Sequence, residues 1–466
     1  MLPTLNAPIP LVAKPLPLPS GLNIQDVFAS IADQPWSFWL DSNESKHVDS
    51  QFDIIVWQPA VTIETDSQQT KVLVNDKEYQ ALEGCYQKDP LTLIKEVNQQ
   101  VFEKVSLPKT SLPFKTGAVG YFSYDLGQHF EKLPDDSKDD INLPHMAVGI
   151  YMQAVVYDRA NQEVTLIAPE NCWQTLSEEL TSFIKPSKKR FKLDSNWQSN
   201  MSKAAYKRKF EQVQRYLVSG DCYQINLAQR FDAKYQGDEF QAYLKLRQAN
   251  QAPFSAFMRF SEYSILSISP ERFLKLTQSK VQTKPIKGTM PRHNDPIKDK
   301  ENISLLEQSS KDKAENLMIV DLLRNDISRV CQPGSVKVPK LFDVESFPAV
   351  HHLVSTVVGD LNKQYDGTDL LRAAFPGGSI TGAPKIRAME IIEELEPHKR
   401  NVYCGSIGYI SACGNMDSSI TIRTLVCQND NIYCWAGGGL VADSKVDSEY
   451  QETFDKVGKI LPILAE

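Results

Sequence analysis

The chain has 466 residues, of which 41% are hydrophobic and 23% charged, and its formal net charge is −7. This composition is typical of a globular protein and excludes a small disulfide-stapled scaffold. The charge balance excludes a general attraction to nucleic acid or to an anionic membrane, so an acidic substrate would need local donors. No apolar run approaches the roughly 20 residues that cross a bilayer. The eight cysteines form no Cys-x-x-Cys pair, which favours reduced thiols and a cytoplasmic protein.

The first half of the chain shows mainly strand patterns. Its prolines predict an extended, mobile lead-in, and helices are expected only near 91–104 and 174–184. The predicted regions are a lead-in at 1–20, an N-terminal region at 21–184, a linker with a short basic run at 185–200, and a C-terminal region at 201–466.

The second half mixes blocks of strands with helices. A helix that begins near Met201 is expected to end at Gly220, and Ser419–Val426 is among the predicted strands. Because strands and helices come in blocks instead of strict alternation, the sequence predicts an α+β fold with substantial antiparallel sheet. Further helices are expected near 309–330, 367–374, 383–395 and 447–464.

The last predicted helix carries three charged residues on one face. Ser448 and the Gln three residues later form a capping-box pattern that predicts a helix start. Glu449, Glu452 and Lys456 follow at i, i+3 and i+7 and share a face. The glycines at 437–439 are expected to form a turn with exposed N–H groups near this helix start, where anions are favoured. A turn before a solvated acidic helix is the simpler alternative.

A second acidic position lies in the apolar helix predicted near 309–330. Glu315 lies in this stretch, and charges seldom enter a buried face unless they are paired or bind a metal. One carboxylate here and one from the last helix could hold Mg²⁺. For Asp321, Arg324 and Asp326 an internal Asp–Arg network is the preferred interpretation.

The stretch Thr283–Arg292 concentrates cations at the end of a strand-like segment. If Lys287 points inward beside other cations such as Lys284, its pKa falls and its amine becomes a nucleophile. If it points outward, it is an ordinary solvated lysine. A hairpin could bring Glu271 beside Lys287 as a general acid or base, and a surface glutamate is the alternative.

Two further segments carry weaker signals. Phe375–Lys385 has the glycine spacing of a phosphate loop, but Ala383-Pro384 follows where Gly-Lys-Ser/Thr is required, so an ATP-dependent enzyme is not supported. His351 and His352 lie on a predicted strand and face opposite sides, so at most one of them is expected to enter a site. A lone histidine is more often structural.

Together these segments resemble the chorismate-utilising enzymes. The resemblance starts near Pro35 and covers nearly all of the remaining chain. It is densest in Pro285-Ile-Lys-Gly-Thr, in residues 313–326, in 349–355, in 375–385 and in Gly437 through Glu452. It implies an α+β layered sandwich of two large, mostly antiparallel sheets flanked by helices, as in anthranilate synthases and their relatives.

The resemblance implies Mg²⁺-dependent amination of chorismate at C4, which yields 4-amino-4-deoxychorismate for 4-aminobenzoate and folate synthesis. In the branch with this motif the lysine, here Lys287, attacks C2 and expels the C4 hydroxyl. Ammonia then adds at C4 and displaces the lysine, while Glu271 moves protons. Glu315 and Glu452 would bind Mg²⁺. The residues implied to bind the substrate are Gly288, Thr289, His352, Tyr409, Arg423, Gly437, Gly438, Gly439 and Lys456.

Two alternatives remain open within this resemblance. Anthranilate synthases typically carry Ala where Lys287 stands, and they aminate C2 with loss of pyruvate. A non-catalytic sensor of chorismate or tryptophan could share the fold. The chain lacks the Gly-x-Cys-x-Gly elbow of a glutaminase, since Cys222 has Gly220 before it but Gln224 after it. The resemblance therefore implies ammonia from a separate glutamine amidotransferase subunit.

The N-terminal region resembles the tryptophan pocket of the same family. The family usually has Tyr-Ser-Arg-Phe-Asp where this chain has Asp49-Ser-Gln-Phe-Asp, so an aromatic ring and a cation are replaced. Ordinary core residues are the alternative. The residues implied to form a site for L-tryptophan are Ser42, Asp49, Ser50, Gln51, Phe52, Pro253, Phe254 and Ser255.

Overall fold

Alternating apolar residues build two large β-sheets in the computed structural model of this chain, which describes residues 8–43, 47–182, 189–346 and 350–466. Residues 1–7 of the predicted lead-in and 185–188 of the predicted linker lie outside the described residues. The strands are β1 (Ile9–Pro15), β2 (Ser37–Asp41), β3 (Phe52–Val56), β4 (Val61–Thr65), β5 (Thr70–Val74), β6 (Gly84–Tyr86), β7 (Val105–Ser106), β8 (Gly117–Phe122), β9 (Met146–Tyr151), β10 (Ala154–Asp158), β11 (Glu163–Pro169), β12 (Lys192–Leu193), β13 (Gln198–Ser199), β14 (Gln224–Gln236), β15 (Phe254–Arg259), β16 (Tyr263–Ser269), β17 (Arg272–Thr277), β18 (Lys280–Thr283), β19 (Ile286–Pro291), β20 (Lys337–Ser346), β21 (Val350–Asp360), β22 (Gly382–Ala383), β23 (Ser406–Ser411), β24 (Met416–Ile420), β25 (Thr424–Gln428) and β26 (Asn431–Leu440).

The helices begin and end at the residue types that favour helix termini. Ser202 caps the N-terminus of the fourth helix and Gly220 ends it in a left-handed conformation, as predicted. The helices are α1 (Ile24–Ala29), α2 (Pro90–Phe102), α3 (Trp173–Thr181), α4 (Lys203–Ser219), α5 (Glu239–Asn250), α6 (Pro296–Gln308), α7 (Ser310–Ser328), α8 (Gly367–Ala374), α9 (Lys385–Leu395), α10 (Val446–Val457) and α11 (Leu461–Ala465). No helix in the described part of the chain combines the length and apolarity needed to span a membrane.

Each sheet takes strands from both halves of the chain. The first sheet has 14 strands in the order β12-β14-β26-β25-β16-β15-β2-β3-β10-β11-β1-β7, and β13 and β22 also pair with β14. The second sheet has 12 strands in the order β19-β21-β18-β17-β24-β23-β8-β9-β4-β5-β6, with β20 paired to β21. Almost all neighbours are antiparallel. The predicted α+β sandwich is confirmed, and the division of the sequence at 185–200 stays a prediction.

The strand period of two sends neighbouring side chains to two different cores. Phe38 of β2 packs in a core that also contains Val148 of the second sheet, so this core lies between the sheets. The adjacent Trp39 packs in the other core with Phe28 of α1 and Phe240 of α5, on the outer face of the first sheet. Helices therefore flank the sandwich, as expected.

Two sequence predictions about strands are wrong in detail. The lead-in is not mobile from Ile9 onward, because β1 pairs with β11 and with β7 and buries Leu11. The predicted strand Ser419–Val426 is two strands, β24 in the second sheet and β25 in the first. Arg423, with φ +52°, lies at the break where the chain passes from one sheet to the other.

Candidate active site

Lys287 lies in β19 next to a β-bulge. Opposite it, Leu353 is its partner in β21, and the next pair is Thr289 with His352, so Gly288 is the extra residue. Gly288 has φ +72°, and a Cβ there would lie 2.8 Å from a methyl of Leu306. Only glycine suits this backbone conformation and close approach, so the residue after Lys287 is determined by the bulge.

The amine of Lys287 points into the protein. Its Nζ donates a hydrogen bond of 3.2 Å to the carbonyl oxygen of Ser379. Burial lowers the pKa of Lys287; Glu315 opposes this effect, and the nearby ammonium of Lys456 adds to it. A larger fraction of the amine is therefore neutral than in a solvated lysine, as a nucleophile requires.

Glu271 lies close to this amine, as the predicted hairpin suggests. It precedes β17, is 6% exposed, and accepts a hydrogen bond of 2.9 Å at Oε1 from the Ser379 hydroxyl. Burial raises the pKa of Glu271, while the Ser379 hydroxyl and the Lys287 amine oppose the rise. A raised pKa brings a carboxyl closer to the range in which it can both give and accept a proton, and Glu271 is buried instead of lying at the surface.

Three carboxylates from α7 and α10 face one another. Lys311 Nζ lies 3.8 Å from Glu315 of α7 and 3.9 Å from Glu449 of α10. Glu452, one turn after Glu449, forms an ion pair of 2.7 Å with Lys456. Burial raises the pKa of Glu315 and that of Glu449. Three carboxylates and the ammonium groups of Lys287, Lys311 and Lys456 therefore lie together here.

The absent side chain of Gly438 leaves space for Glu449 and Glu452. The glycines at 437–439 lie in a strand and not in the predicted turn. Gly437, Gly438 and Gly439 belong to β26 and pair with Ala228, Leu227 and Asn226 of β14. A Cβ on Gly438 would lie 3.2 Å from Glu452 Oε1 and 3.3 Å from Glu449 Oε2. The carbonyl of Gly437 accepts a hydrogen bond of 2.7 Å from Lys456 Nζ.

The start of α10 also differs from the predicted capping box. The helix begins at Val446, two residues before Ser448, so Ser448 lies inside it. Ser444 contributes instead: its hydroxyl donates to Glu449 Oε1 at 2.7 Å and accepts a hydrogen bond from the Val441 N–H. The residues before the helix thus orient one of the three carboxylates.

This acidic group fits a magnesium ion. Mg²⁺ prefers oxygen ligands and typically takes one or two protein carboxylates, with substrate oxygens and water completing the shell. Glu315 and Glu452 offer such oxygens from two different helices, and the missing side chain at Gly438 leaves space beside them. The residues present therefore suit the ion that the resemblance implies.

A second acidic group does not suit a metal. Among the described residues, His47, Asp49 and Glu345 lie close enough together to ligate one ion. The ammonium of Lys284, however, contacts Asp49 at 3.0 Å and Glu345 at 2.8 Å. A cation of the chain itself already neutralises both carboxylates, so this group is an ion-pair network.

Three charged residues in the second half of α7 take part in two separate contacts. Asp321 and Arg324 form an ion pair of 2.7 Å on the exposed side of the helix. The buried Asp326 pairs with Lys385 at 2.7 Å and not with an arginine. The expected internal Asp–Arg network is therefore only partly correct. Asp321 does pair with Arg324, but the partner of the buried Asp326 is a lysine from α9.

Arg423 and His352 complete the surroundings of Glu271 and Lys287. Burial lowers the pKa of Arg423, and Glu271 opposes this effect. His352 is buried, and its Nδ1 shares a hydrogen bond of 2.9 Å with Thr289 Oγ1. Burial and the charge of Arg423 lower the pKa of His352 to about 3. A neutral histidine and a buried guanidinium therefore lie on the same side of the site, where an anion is favoured.

Tyr409 faces the space between the two sheets, and its predicted contact with the substrate stays a prediction. It lines a cavity of about 120 Å³ between the sheets, with its ring centroid 5.1 Å from that of Phe114. Strand alternation in β23 places the side chain of Tyr409 on the inter-sheet face. The sequence motif predicted the strand, but it did not show which face of the strand Tyr409 occupies.

The same inter-sheet cavity collects most of the residues predicted to bind tryptophan. Ser50 is buried but does not line it. Burial alone would raise the pKa of Asp49, but Arg272 and Lys284 lower it to about 2. Arg272 also lies over the Phe254 ring, with 4.8 Å to its centroid. The predicted residues that line the cavity are Ser42, Asp49, Gln51, Phe52, Pro253, Phe254 and Ser255.

Sequence reasoning did not single out two residues of the site. Ser379 contacts both Lys287 and Glu271, and Lys311 bridges the carboxylates of Glu315 and Glu449. The glycine-rich segment 375–385 was a usable signal for Ser379, but its resemblance to a phosphate loop directed attention to the wrong chemistry. Lys311 carries no local signal, because its role depends on where α10 lies.

Comparisons with known proteins identify the family to which the chain is similar. A family model described as "chorismate binding enzyme" matches residues 36–462. The chain is 54% identical over 437 residues to aminodeoxychorismate synthase component 1 of Escherichia coli strain K12, covering 93% of this chain and 94% of that protein. It is 36% identical to anthranilate synthase component 1 of Aquifex aeolicus, covering 80% of this chain and 79% of that protein.

A solved structure extends the likeness to three dimensions. Anthranilate synthase component I from Streptococcus pneumoniae superposes with a TM-score of 0.79 at 32% identity, covering 89% of this chain and 93% of that chain. The family match covers most of the chain and includes every residue placed in the site above. The chain belongs to the chorismate binding enzyme family.

Proposed function

We propose that this enzyme is component I of an aminodeoxychorismate synthase, which aminates chorismate at C4 to give 4-amino-4-deoxychorismate for 4-aminobenzoate and folate synthesis. The observation that carries the proposal is the inward amine of Lys287, with its lowered pKa, next to the buried carboxyl of Glu271. The 54% identity to a protein named for this activity supports the same assignment.

Binding of chorismate would rest on a few cations and backbone groups. The substrate is a dianion, and the overall charge of the chain is negative, so local donors must hold it. Arg423 and Lys456 would receive carboxylate oxygens, and His352 with Thr289 would contact the ring side. The bulge at Gly288 keeps the backbone close to the ring without a side chain.

Lys287 would act as the nucleophile in the first half of the reaction. Its neutral amine attacks C2, the ring double bond shifts, and the C4–O bond breaks. Glu271 gives a proton to the departing hydroxyl, which leaves as water, and the secondary ammonium formed at Lys287 Nζ then gives a proton back to Glu271. Two successive allylic displacements explain why amination at C4 needs a temporary bond at C2.

Ammonia would complete the second half. It attacks C4, the double bonds return to their positions, and the C2–N bond breaks so that Lys287 leaves as a neutral amine with a proton from Glu271. The ammonium formed at C4 gives one proton back to Glu271. The balance is chorismate plus ammonia giving aminodeoxychorismate plus water. Because the protonated and ionised forms of Glu271 are both needed in turn, a pKa raised by burial suits the role.

Glu315 and Glu452 would hold Mg²⁺, with Glu449 beside them. When bound, the ion supplies positive charge that neutralises and orients a substrate carboxylate. Lys311 shares its charge between Glu315 and Glu449 and keeps these carboxylates close together in the protein. The space at Gly438 lets the acidic group approach β26.

A separate glutamine amidotransferase would provide the ammonia. The name of the relatives as component 1 implies a second component. The thiol of Cys222 is buried and burial raises its pKa to about 11, the opposite of what a glutaminase nucleophile needs. Free ammonium at alkaline pH should replace the partner in a test tube.

The inter-sheet cavity would take L-tryptophan as a bound amino acid. Its walls carry the Phe254 ring and the hydroxyls of Ser42 and Ser255, which suit an indole and an ammonium or carboxylate group. Titration calorimetry with tryptophan tests this proposal, and Phe254→Ala should weaken any heat by removing a wall. No heat with the unaltered protein would contradict it.

An activity assay tests the main proposal. The full chain is incubated with chorismate, Mg²⁺ and ammonium at alkaline pH, and the products are separated by chromatography. Aminodeoxychorismate is the expected product. Anthranilate with pyruvate would instead assign the chain to the anthranilate synthases, and binding of chorismate without any conversion would make it a sensor.

A further inference from the structure

The short turn Gly378–Ile380 contacts both reacting groups of the proposed mechanism. The carbonyl oxygen of Ser379 accepts a hydrogen bond of 3.2 Å from Lys287 Nζ, and the hydroxyl of the same residue donates at 2.9 Å to Glu271 Oε1. Ser379 is 8% exposed. One buried residue therefore connects the amine and the carboxyl through its backbone and its side chain separately.

Neighbouring elements hold this turn in place. Arg400 Nη1 donates to the carbonyl of Ile380 at 2.9 Å, and the Thr381 hydroxyl donates to the carbonyl of Gly377 at 3.0 Å. A Cβ on Gly378 would lie 2.5 Å from the side chain of Leu322 in α7. Ser379 thus sits on a turn packed directly against α7, the helix that also carries Glu315.

The backbone contact suits an amine that must lose its proton. A carbonyl oxygen accepts a hydrogen bond from a neutral amine as well as from an ammonium. The contact can therefore persist when Lys287 becomes neutral, and it leaves the nitrogen lone pair directed away from Ser379. This orientation belongs to the main chain, so it survives any change of the Ser379 side chain.

The side-chain contact fixes the other group. A carboxyl rotates about its last bond with a broad preference, and the Ser379 hydroxyl and the backbone N–H of Ile286 both bond to that of Glu271. A hydrogen bond to a charged group is stronger than one between neutral groups. Loss of the hydroxyl would leave the Ile286 contact alone to hold the carboxyl and would remove a donor that favours its ionised form.

We infer that Ser379 is a positioning residue that aligns Glu271 through its hydroxyl while its carbonyl orients the amine of Lys287. The inference rests on the proposed function, since it assigns a role within that reaction. It adds a residue that touches neither the metal ligands nor any predicted substrate-binding group.

Several other groups face Glu271 and remain in place when the hydroxyl is removed. The cations are Lys287 and Lys456, with Arg423 on the side of β25, and the thiol of Cys404 lies near the same carboxyl. The hydroxyl of Ser379 lowers the pKa of Glu271. Its removal should therefore raise this pKa and move the pH limb controlled by Glu271 to higher pH.

The test compares pH–rate profiles of C4 amination by the unaltered chain, Ser379→Ala and Ser379→Thr. For Ser379→Ala, kcat should fall about ten- to a hundredfold, as expected for one hydrogen bond to a charged group. KM should stay within about twofold, and the limb should shift to higher pH. Ser379→Thr keeps a hydroxyl and should recover most of kcat and the original limb.

Thr381→Val is the matched control for a structural effect. Its hydroxyl supports the same turn but donates to Gly377 and not to Glu271, so the limb should not move. An unchanged limb in Ser379→Ala, or the same profile in Ser379→Ala and Thr381→Val, would overturn the inference. Failure of the unaltered chain to aminate C4 is a different result, because it overturns the proposed function itself.

Discussion

The space around Lys287 and the inter-sheet cavity differ in how their charges are satisfied. Around Lys287, the carboxylates of Glu315 and Glu449 share Lys311 at 3.8–3.9 Å. In the cavity wall, Asp49 forms ion pairs with both Arg272 and Lys284. The ammonium of Lys311 is therefore a looser partner for its two carboxylates than Lys284, at 3.0 Å, is for Asp49.

This difference distinguishes the proposed active site around Lys287 from the inter-sheet cavity proposed to bind tryptophan. Shifted pKa values occur in both regions, so the shift alone does not identify function. The direction does not identify it either, since Lys456 lowers the pKa of the proposed ligand Glu452 and burial raises that of Asp125, outside the site, to about 7. The contacts of Lys287 and Glu271 with Ser379 carry the proposed function instead.

Replacing Lys287 should have the largest effect. Lys287→Ala removes the proposed nucleophile, and C4 amination should fall roughly a thousandfold or more, measured by product formation from chorismate and ammonium. Lys280→Ala is the matched control, because Lys280 lies on the preceding strand, is exposed, and pairs with Asp360. Equal activity of Lys287→Ala and the unaltered chain would remove the basis for the covalent route.

Replacing a proposed magnesium ligand should have the next largest effect. Glu315→Gln keeps the shape but removes a charge, so the Mg²⁺ concentration that gives half-maximal activity should rise at least about a hundredfold. Asp321→Asn on the same helix is the control, since Asp321 pairs with Arg324 at the surface. The ion should also be removable with a chelator and restorable by Mg²⁺. Activity that survives chelation would argue against a metal role.

Replacing Asp49 should affect stability, and less strongly. The ordinary pKa of an aspartate is 3.8, and ion pairs in the folded chain lower that of Asp49 to about 2. The ionised form of Asp49 therefore stabilises the fold by roughly 2 kcal/mol at most. This contribution is fully present above about pH 4 and is lost as pH falls toward 2. Urea unfolding of Asp49→Asn should show the deficit at pH 5.

The pH series checks the sign of that effect. The difference between the unaltered chain and Asp49→Asn should shrink as pH falls below about 4, because the unaltered carboxyl becomes protonated. Glu96→Gln is the control, since Glu96 forms an exposed pair with Lys88 and surface pairs contribute little. A deficit that is the same at every pH would mean that packing, not charge, accounts for the loss.

The proximity of Lys287 and Glu271 was predictable from the sequence, whereas the residues around them were less so. Lys287 and Glu271 come together because a local hairpin connects them, and local patterns carry that information. The strand that contains Gly437–Gly439 was not predicted at these positions, because its pairing with β14 is a long-range contact. The helix at Glu449 starts two residues earlier than predicted, at Val446, and Lys445 precedes it without a side-chain cap.

The layered fold was predictable from the alternation of blocks, but the long-range pairings were not. Leu11 in the proline-rich segment is buried because β1 pairs with β11 and β7, which both lie more than 90 residues away in the sequence. Ser379 lies next to Lys287 only through a tertiary contact between residues that are far apart in the sequence. Contacts of this kind require the sheet order, which composition and periodicity do not contain.

Mass spectrometry of the protein mixed with chorismate and Mg²⁺, without ammonia, tests the covalent route most directly. Digestion should recover a peptide that contains Lys287 with the mass of chorismate less one water, and later addition of ammonium should release it as aminodeoxychorismate. The unmodified peptide, in a preparation that still converts chorismate when ammonium is present, would contradict the account.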